Sequence, residues 1–88
     1  MTREDIHNQV IEKYGVDAQI NKATEELGEL VDELKAIYIA QSHKAVVSEM
    51  ADVLNCIEQL KIILHISDEE LIQEQNFKMN RTLERMKI

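Results

Sequence analysis

Apolar residues recur with helical spacing in four successive stretches of the chain. Ile6, Val10, Ile11 and Tyr14 mark one face of a first amphipathic helix over residues 2–14, which Thr2 can cap with Asp5 three residues on. Gly15 breaks it, and Asp17 is placed to cap a second helix reaching about Gln41. The stripe of that helix is Ile20, Ala23, Leu27, Leu30, Val31, Leu34, Ile37 and Tyr38. At about 1.5 Å per residue it would span roughly 36 Å. The polar run Gln41, Ser42, His43, Lys44 predicts a turn, and a third helix follows from about Ala45 to His65. Ser67 with Glu70 is a capping-box pattern that opens a fourth helix running nearly to the C-terminus. Its expected buried positions are Leu71, Ile72, Met79, Leu83 and Met86.

The third helix differs from the second in being apolar almost all round, from Ala45, Val46 and Val47 through Met50, Val53, Leu54, Cys56 and Ile57 to Leu60 and Leu64. A helix of that kind is expected to be buried on most sides. Glu49 and Asp52 nevertheless sit in its middle. Carboxylates are seldom buried without a partner, because desolvation penalises the charged form heavily.

Composition narrows the class. With 88 residues, no Pro and two Gly, the chain suits one all-α domain over 1–88, a four-helix-type bundle, and leaves no room for a multidomain enzyme or a turn-rich sandwich. A domain of this size buries only about 60% of its unfolded surface, so completion of the bundle by oligomerisation is expected. No apolar run approaches the roughly 18–20 residues of a membrane span, the polar start from Met1 to Ile6 has no signal-peptide core, and Cys56 is alone. A cytoplasmic protein with no membrane partner is the expectation. The net charge of −7 disfavours a nucleic-acid polymer as partner, since that requires a basic face. Glu25, Glu26, Glu29, Glu49 and Asp52 supply five of the negatives, whereas Lys78, Arg81, Arg85 and Lys87 make the C-terminal end basic.

Two segments echo one another. Residues 26–34 and 49–57 both read acid, apolar, small, acid, apolar, apolar, two variable positions, apolar. At about 100° per residue each acidic pair, Glu26 with Glu29 and Glu49 with Asp52, falls on one side of its apolar stripe. Gly28 and Ala51 between the acids are small enough to let two backbones approach. If the helices pack antiparallel, four carboxylates converge. Their mutual repulsion, if all were ionised, would rival the entire stability of a small domain, about 5–15 kcal/mol. Protonation or a bound cation must relieve it. An all-carboxylate set suits Mg²⁺, Mn²⁺ or Ca²⁺. A di-iron site would need Glu-x-x-His on two helices, and no His stands at that spacing. The plainer reading of Glu25, Glu26 and Glu29 is a solvated helix face. Glu33, Asp32 and Glu58 read as ordinary surface charges, His7, His43 and His65 as surface or structural, and Cys56 as a small buried hydrophobe.

The pattern Glu25-Glu26-x-x-Glu29, nineteen residues, then Glu49-x-x-Asp52 resembles the signature of the all-α nucleoside triphosphate pyrophosphohydrolases, the MazG-like family. The flanks Gln19 to Thr24 and Asp52 to Leu54 agree, over about residues 14–60, with a weaker match from Lys78 to Arg81. The resemblance implies Mg²⁺-dependent hydrolysis of a nucleoside or deoxynucleoside triphosphate to the monophosphate and pyrophosphate. It implies metal ligands at Glu26, Glu29, Glu49 and Asp52, with Glu25 holding a second metal or positioning water. It also implies a homodimer or homotetramer in which a site can borrow residues from a neighbouring subunit. An aromatic base sandwich would have to draw on Tyr14, Tyr38 or Phe77, or on a partner.

A triphosphate carries about four negative charges and cannot approach bare carboxylates, so a cation has to bridge them; it would also activate a water molecule. Glu25 or Glu29 could take the proton from that water. Lys78 and Arg81 share a face of the fourth helix and suit phosphate, with Lys22 as a further candidate and Asn55 as a contact to sugar or base. Lys78 and Arg81 could equally complement a helix C-terminus. Two other expectations stay open: a phosphoribosyl-ATP pyrophosphohydrolase-like relative, and a non-catalytic helical module for dimerisation or adaptation.

Overall fold

A computed structural model describes residues 1–36 and 43–87 of the chain. It is all-α, with α1 over Arg3–Tyr14, α2 over Val16–Lys35, α3 over His43–Ile63 and α4 over Asp68–Met86, and no strand among the described residues. Ile37, Tyr38, Gln41 and Ser42, on which the end of the second helix and part of the turn were expected, lie outside them.

The helix ends follow local chemistry. Thr2 Oγ1 accepts from the Asp5 backbone N–H at 3.1 Å and Asp5 Oδ2 accepts from the Thr2 N–H at 2.9 Å, a closed capping box. That backbone donor holds the Asp5 carboxyl below the usual range. Gly15, at φ 91°, ends α1 by donating to the Ile11 carbonyl at 2.8 Å and at once starts α2. The second helix is therefore capped at Gly15 rather than Asp17, which falls in its first turn and meets the positive end of the helix. At the end of α3, the Ile66 N–H bonds to the Lys61 carbonyl and the His65 N–H to that of Ile62, with His65 at φ 56°. This is a Schellman ending with histidine in the place glycine usually takes. The Ser67 hydroxyl accepts from the Glu70 N–H at 3.1 Å and opens α4.

Helices α2 and α3 pack antiparallel along most of their length, and α1 lies across both. Among the described residues the buried apolar ones are few: Ala23 on α2 and Val53 and Cys56 on α3. The described buried polar residues are His7, Gln19 and Glu26. His7 joins α1 to α3 through Nε2, 2.6 Å from Glu58 Oε2, while Arg3 Nε meets Glu58 Oε1 at 3.0 Å. The buried residues of α2 and α3 thus mix Ala23, Val53 and Cys56 with Gln19 and Glu26.

The apolar stripes point elsewhere. Val47, Met50, Leu54 and Ile57 on α3 and Leu64 just past its end are exposed, so this helix is not enclosed on most sides within one chain. On α2, Ile20, Leu27, Val31 and Leu34 are exposed as well. No residue of α4 is buried, and Leu71, Ile72, Met79, Leu83 and Met86 face solvent, contrary to expectation. The physical reason is that α4 leaves the other three helices instead of folding back on them, tied near its start by the Lys61–Asp68 ion pair. The radius of gyration is 16.0 Å, against about 12 Å for a compact chain of this length. Among the described residues, no helix is long and apolar enough to cross a membrane.

Candidate functional site

The line of residues that α2 turns toward α3 is Gln19, Ala23, Glu26 and Leu30, seven and three to four residues apart and hence on one face. Facing it, α3 presents Glu49, Asp52, Val53 and Cys56. Carboxylate oxygens of Glu26, Glu49 and Asp52 come within 4.8 Å of one another. Glu26 is only 6% exposed, and Glu49 and Asp52 are half-buried. One oxygen of Glu26 is held by Lys22 Nζ at 2.9 Å. The other, Oε2, is buried with no hydrogen-bond partner, and so is Oε2 of Glu49. Two orphaned carboxylate oxygens in one small cluster are rare in folded proteins.

Electrostatics separates the acids. The Lys22 ammonium holds the Glu26 carboxyl below its ordinary range and is itself raised by that bond. Glu29, one turn on and exposed, is pushed up by the charge of Glu26 and then by Glu49. Burial, and after it the charges of Glu26 and Asp52, raises the Cys56 thiol, which suits a buried hydrophobe rather than a nucleophile.

Of the four expected ligands, three converge and Glu29 stands at the rim, where it still feels two of them. Glu25 is exposed on α2 and adds its charge to the field at Lys22. Lys78 and Arg81 are not brought to the acids by their own chain: both are exposed on α4, neither lines a cavity with them, and Arg81 lies 5.9 Å from the Phe77 ring centre.

Next to the acids, a cavity of about 470 Å³ opens between α1, α2 and α3. Val10, Tyr14 and Ala18 form its apolar side, Gln19, Asn55 and Gln59 its amide side, and Lys22, Glu26 and Asp52 its border with the carboxylates. Sequence reasoning singled out Asn55 but passed over Gln19 and Gln59. The signal was present, since each stands seven residues from an acid, Gln19 before Glu26 and Gln59 after Asp52, and so shares its face. His7, expected at the surface or as a structural residue, is buried and hydrogen-bonded to both Glu58 and Gln59. Glu58, expected as a plain surface charge, is the counter-ion that fixes it, and the bond from His7 holds its carboxyl low.

This arrangement can hold a hard divalent cation on three carboxylates while an adjoining partly apolar cavity receives an uncharged portion of a ligand. No family model, curated protein or solved structure matches the chain.

Proposed function

We propose that this protein is a MazG-like nucleoside triphosphate pyrophosphohydrolase, dependent on Mg²⁺ or Mn²⁺, that cleaves a nucleoside or deoxynucleoside triphosphate to the monophosphate and pyrophosphate. The observation that carries the proposal is the convergence of Glu26, Glu49 and Asp52 with two buried oxygens left without a partner. A purely structural polar seam would satisfy those atoms. An all-oxygen, all-anionic donor set fits Mg²⁺ or Mn²⁺. Bound there, such an ion supplies charge neutralisation, polarises a phosphoryl oxygen and acidifies water.

The chain's own groups divide the remaining work. Glu26, Glu49 and Asp52 hold the ion, with Glu29 as the fourth carboxylate. Glu29, whose affinity for a proton its neighbours raise, is better suited than Glu25 to accept the proton of the attacking water. Lys22, which pairs with Glu26 and is otherwise exposed, would be the nearest cation to phosphate if a metal ion neutralised Glu26. The cavity beside the acids takes the nucleoside.

A homo-oligomer is part of the same proposal. The chain exposes 7256 Å², about 1,900 Å² more than a compact protein of this mass. A standard interface buries about 800 Å² on each partner. The excess is apolar in the right places, on the stripes of α2, α3 and α4. A second copy lying against them would complete the bundle and bring its Lys78 and Arg81 toward the site.

The test is pyrophosphate release from a panel of nucleoside triphosphates with Mg²⁺. Release that stops with EDTA and with Glu49→Gln is expected; full activity in that variant would remove the site assignment. The exposed stripes also support the second reading, a non-catalytic helical module. Under it, Mg²⁺ with nucleotide leaves the melting temperature unchanged, whereas a ligand bound only by the folded state must raise it.

A further inference from the structure

The exposed stripes of α2 and α3 stand in the same relation to the seam between the two helices. Ile20, Leu27 and Val31 each follow directly on a residue that α2 turns inward, namely Gln19, Glu26 and Leu30. Met50, Leu54 and Ile57 each follow directly on one that α3 turns inward, namely Glu49, Val53 and Cys56. One residue turns a helix by about 100°, so each stripe lies about a quarter-turn past the seam in the direction of the chain. The helices run antiparallel, and equal turns of the same hand then bring both stripes to the same side of the pair. They form one continuous apolar face two helices wide.

The cavity beside the acids opens on the opposite side. Ala18 and Asn55 in its wall stand one residue before Gln19 and Cys56, a quarter-turn the other way, and Lys22 and Gln59 stand three after them. Helix α1 covers that side, with Val10 and Tyr14 in the same wall. Among the described residues nothing covers the apolar face, whose side chains stay exposed, and no residue of α4 is buried. Between Ile20 and Leu34 on α2, and between Val47 and Ile57 on α3, no charged residue falls on this face. Two copies of a chain of net charge −7 can therefore meet there with their acids turned away from each other.

A two-fold contact joins a surface to itself. Two antiparallel apolar stripes of similar length meet that condition. Laid on the same face of another copy, they make a four-helix bundle in which each helix is antiparallel to its neighbours. The chain's surplus of exposed surface, about 1,900 Å² over a compact protein of its mass, exceeds the about 800 Å² that a standard contact takes from each partner. From this geometry we infer that the α2–α3 face away from the cavity is the surface by which two copies of the chain pair, and that α4 is not needed to hold them together. The cavity of each copy then opens away from the contact, and α4 is left available as an arm. The inference rests on the self-association within the proposed function and names the surface that makes it. It does not rest on the hydrolytic chemistry, because apolar contact needs neither metal nor nucleotide.

The experiment has two arms, both without metal or nucleotide. In the first, sedimentation equilibrium compares the wild-type chain with Leu27→Glu on the face and Leu83→Glu on α4. Leu27→Glu is expected to weaken the pair about tenfold or more, and Leu83→Glu to leave it within about twofold. A wild-type chain that stays single, a pair that withstands Leu27→Glu, or one that Leu83→Glu breaks overturns the inference. The second arm does not depend on how a charged variant folds. Leu54→Cys on the face and Asn21→Cys on the back of α2 are labelled with a thiol reagent over a range of chain concentrations, and the reaction of the native Cys56 in the wild type is subtracted. Labelling at position 54 that slows as concentration rises, with position 21 keeping its rate, supports the face; the same behaviour at both positions overturns it. Pairing through this face without release of pyrophosphate leaves the surface standing and removes only the enzymatic reading. Hydrolysis by a chain that stays single removes the surface alone.

Discussion

Glu26 carries the tension of the site. It is nearly enclosed, has one oxygen on Lys22 and the other on nothing, and sits among Glu49, Asp52 and Glu29. Replacing it with glutamine keeps the shape but removes the charge that Lys22 favours in the folded chain. In EDTA, Glu26→Gln should therefore melt below the wild type by scanning calorimetry, and it should lack the stabilisation that Mg²⁺ is expected to give the wild type. Removing the corresponding donor on α3, by Glu49→Gln, should lower pyrophosphate release roughly 100-fold or more, since even groups one step removed from a metal cost 10–100-fold. These acids were readable in the sequence because spacing alone puts Glu26 near Glu29 and Glu49 near Asp52 in a helix. Which of them would be innermost was not. Three residues turn a helix by 300°, so Glu26 and Glu29 differ by about 60° in direction. The choice between them depends on how α2 is rolled against α3.

Among the helices, both ends of α1 could be foreseen, because capping is local chemistry. Thr2→Ala should cost about 1 kcal/mol in a denaturant titration, the usual worth of such a cap. The junction of α1 with α3 is a long-range feature and was missed: nothing in the spacing of His7 and Glu58, 51 positions apart, announces a pair. That pair has a pH signature. His7 lowers the Glu58 carboxyl in the folded state, so its contribution to stability is present above the ordinary glutamate range and is lost as pH falls through the depressed folded value. Melting curves recorded from about pH 5 down to about pH 3 should fall more steeply for the wild type than for Glu58→Gln. The roll of α2 and α3 was not legible for a related reason. Apolar stripes at helical spacing do not say which partner covers them, another helix of the same chain or a second copy. Within the chain the inside is the line Gln19, Ala23, Glu26, with the stripes turned outward.

Taken whole, a chain with three buried apolar side chains among its described residues and a radius of gyration of 16.0 Å has less core than its helical content suggests. Under the proposed function, association with a second copy supplies what is missing. Sedimentation equilibrium should give a species that is a multiple of 10.2 kDa, and Leu54→Asp, a charge set into the exposed stripe of α3, should shift it toward the single chain and lower its melting temperature. Under the proposed function, the outward course of α4 bears on how activity would be distributed between copies. With the cations of one chain serving the acids of another, a sample of Glu49→Gln and a sample of the Lys78→Ala, Arg81→Ala double variant would each be silent. Mixed in equal parts and allowed to exchange, they would recover about a quarter of the full rate in a two-fold symmetric pair, because half the pairs are mixed and each of these has one intact site. Catalysis would then vanish on dilution before the helices unravel, and the abundance of the chain in the cell would itself act as the switch.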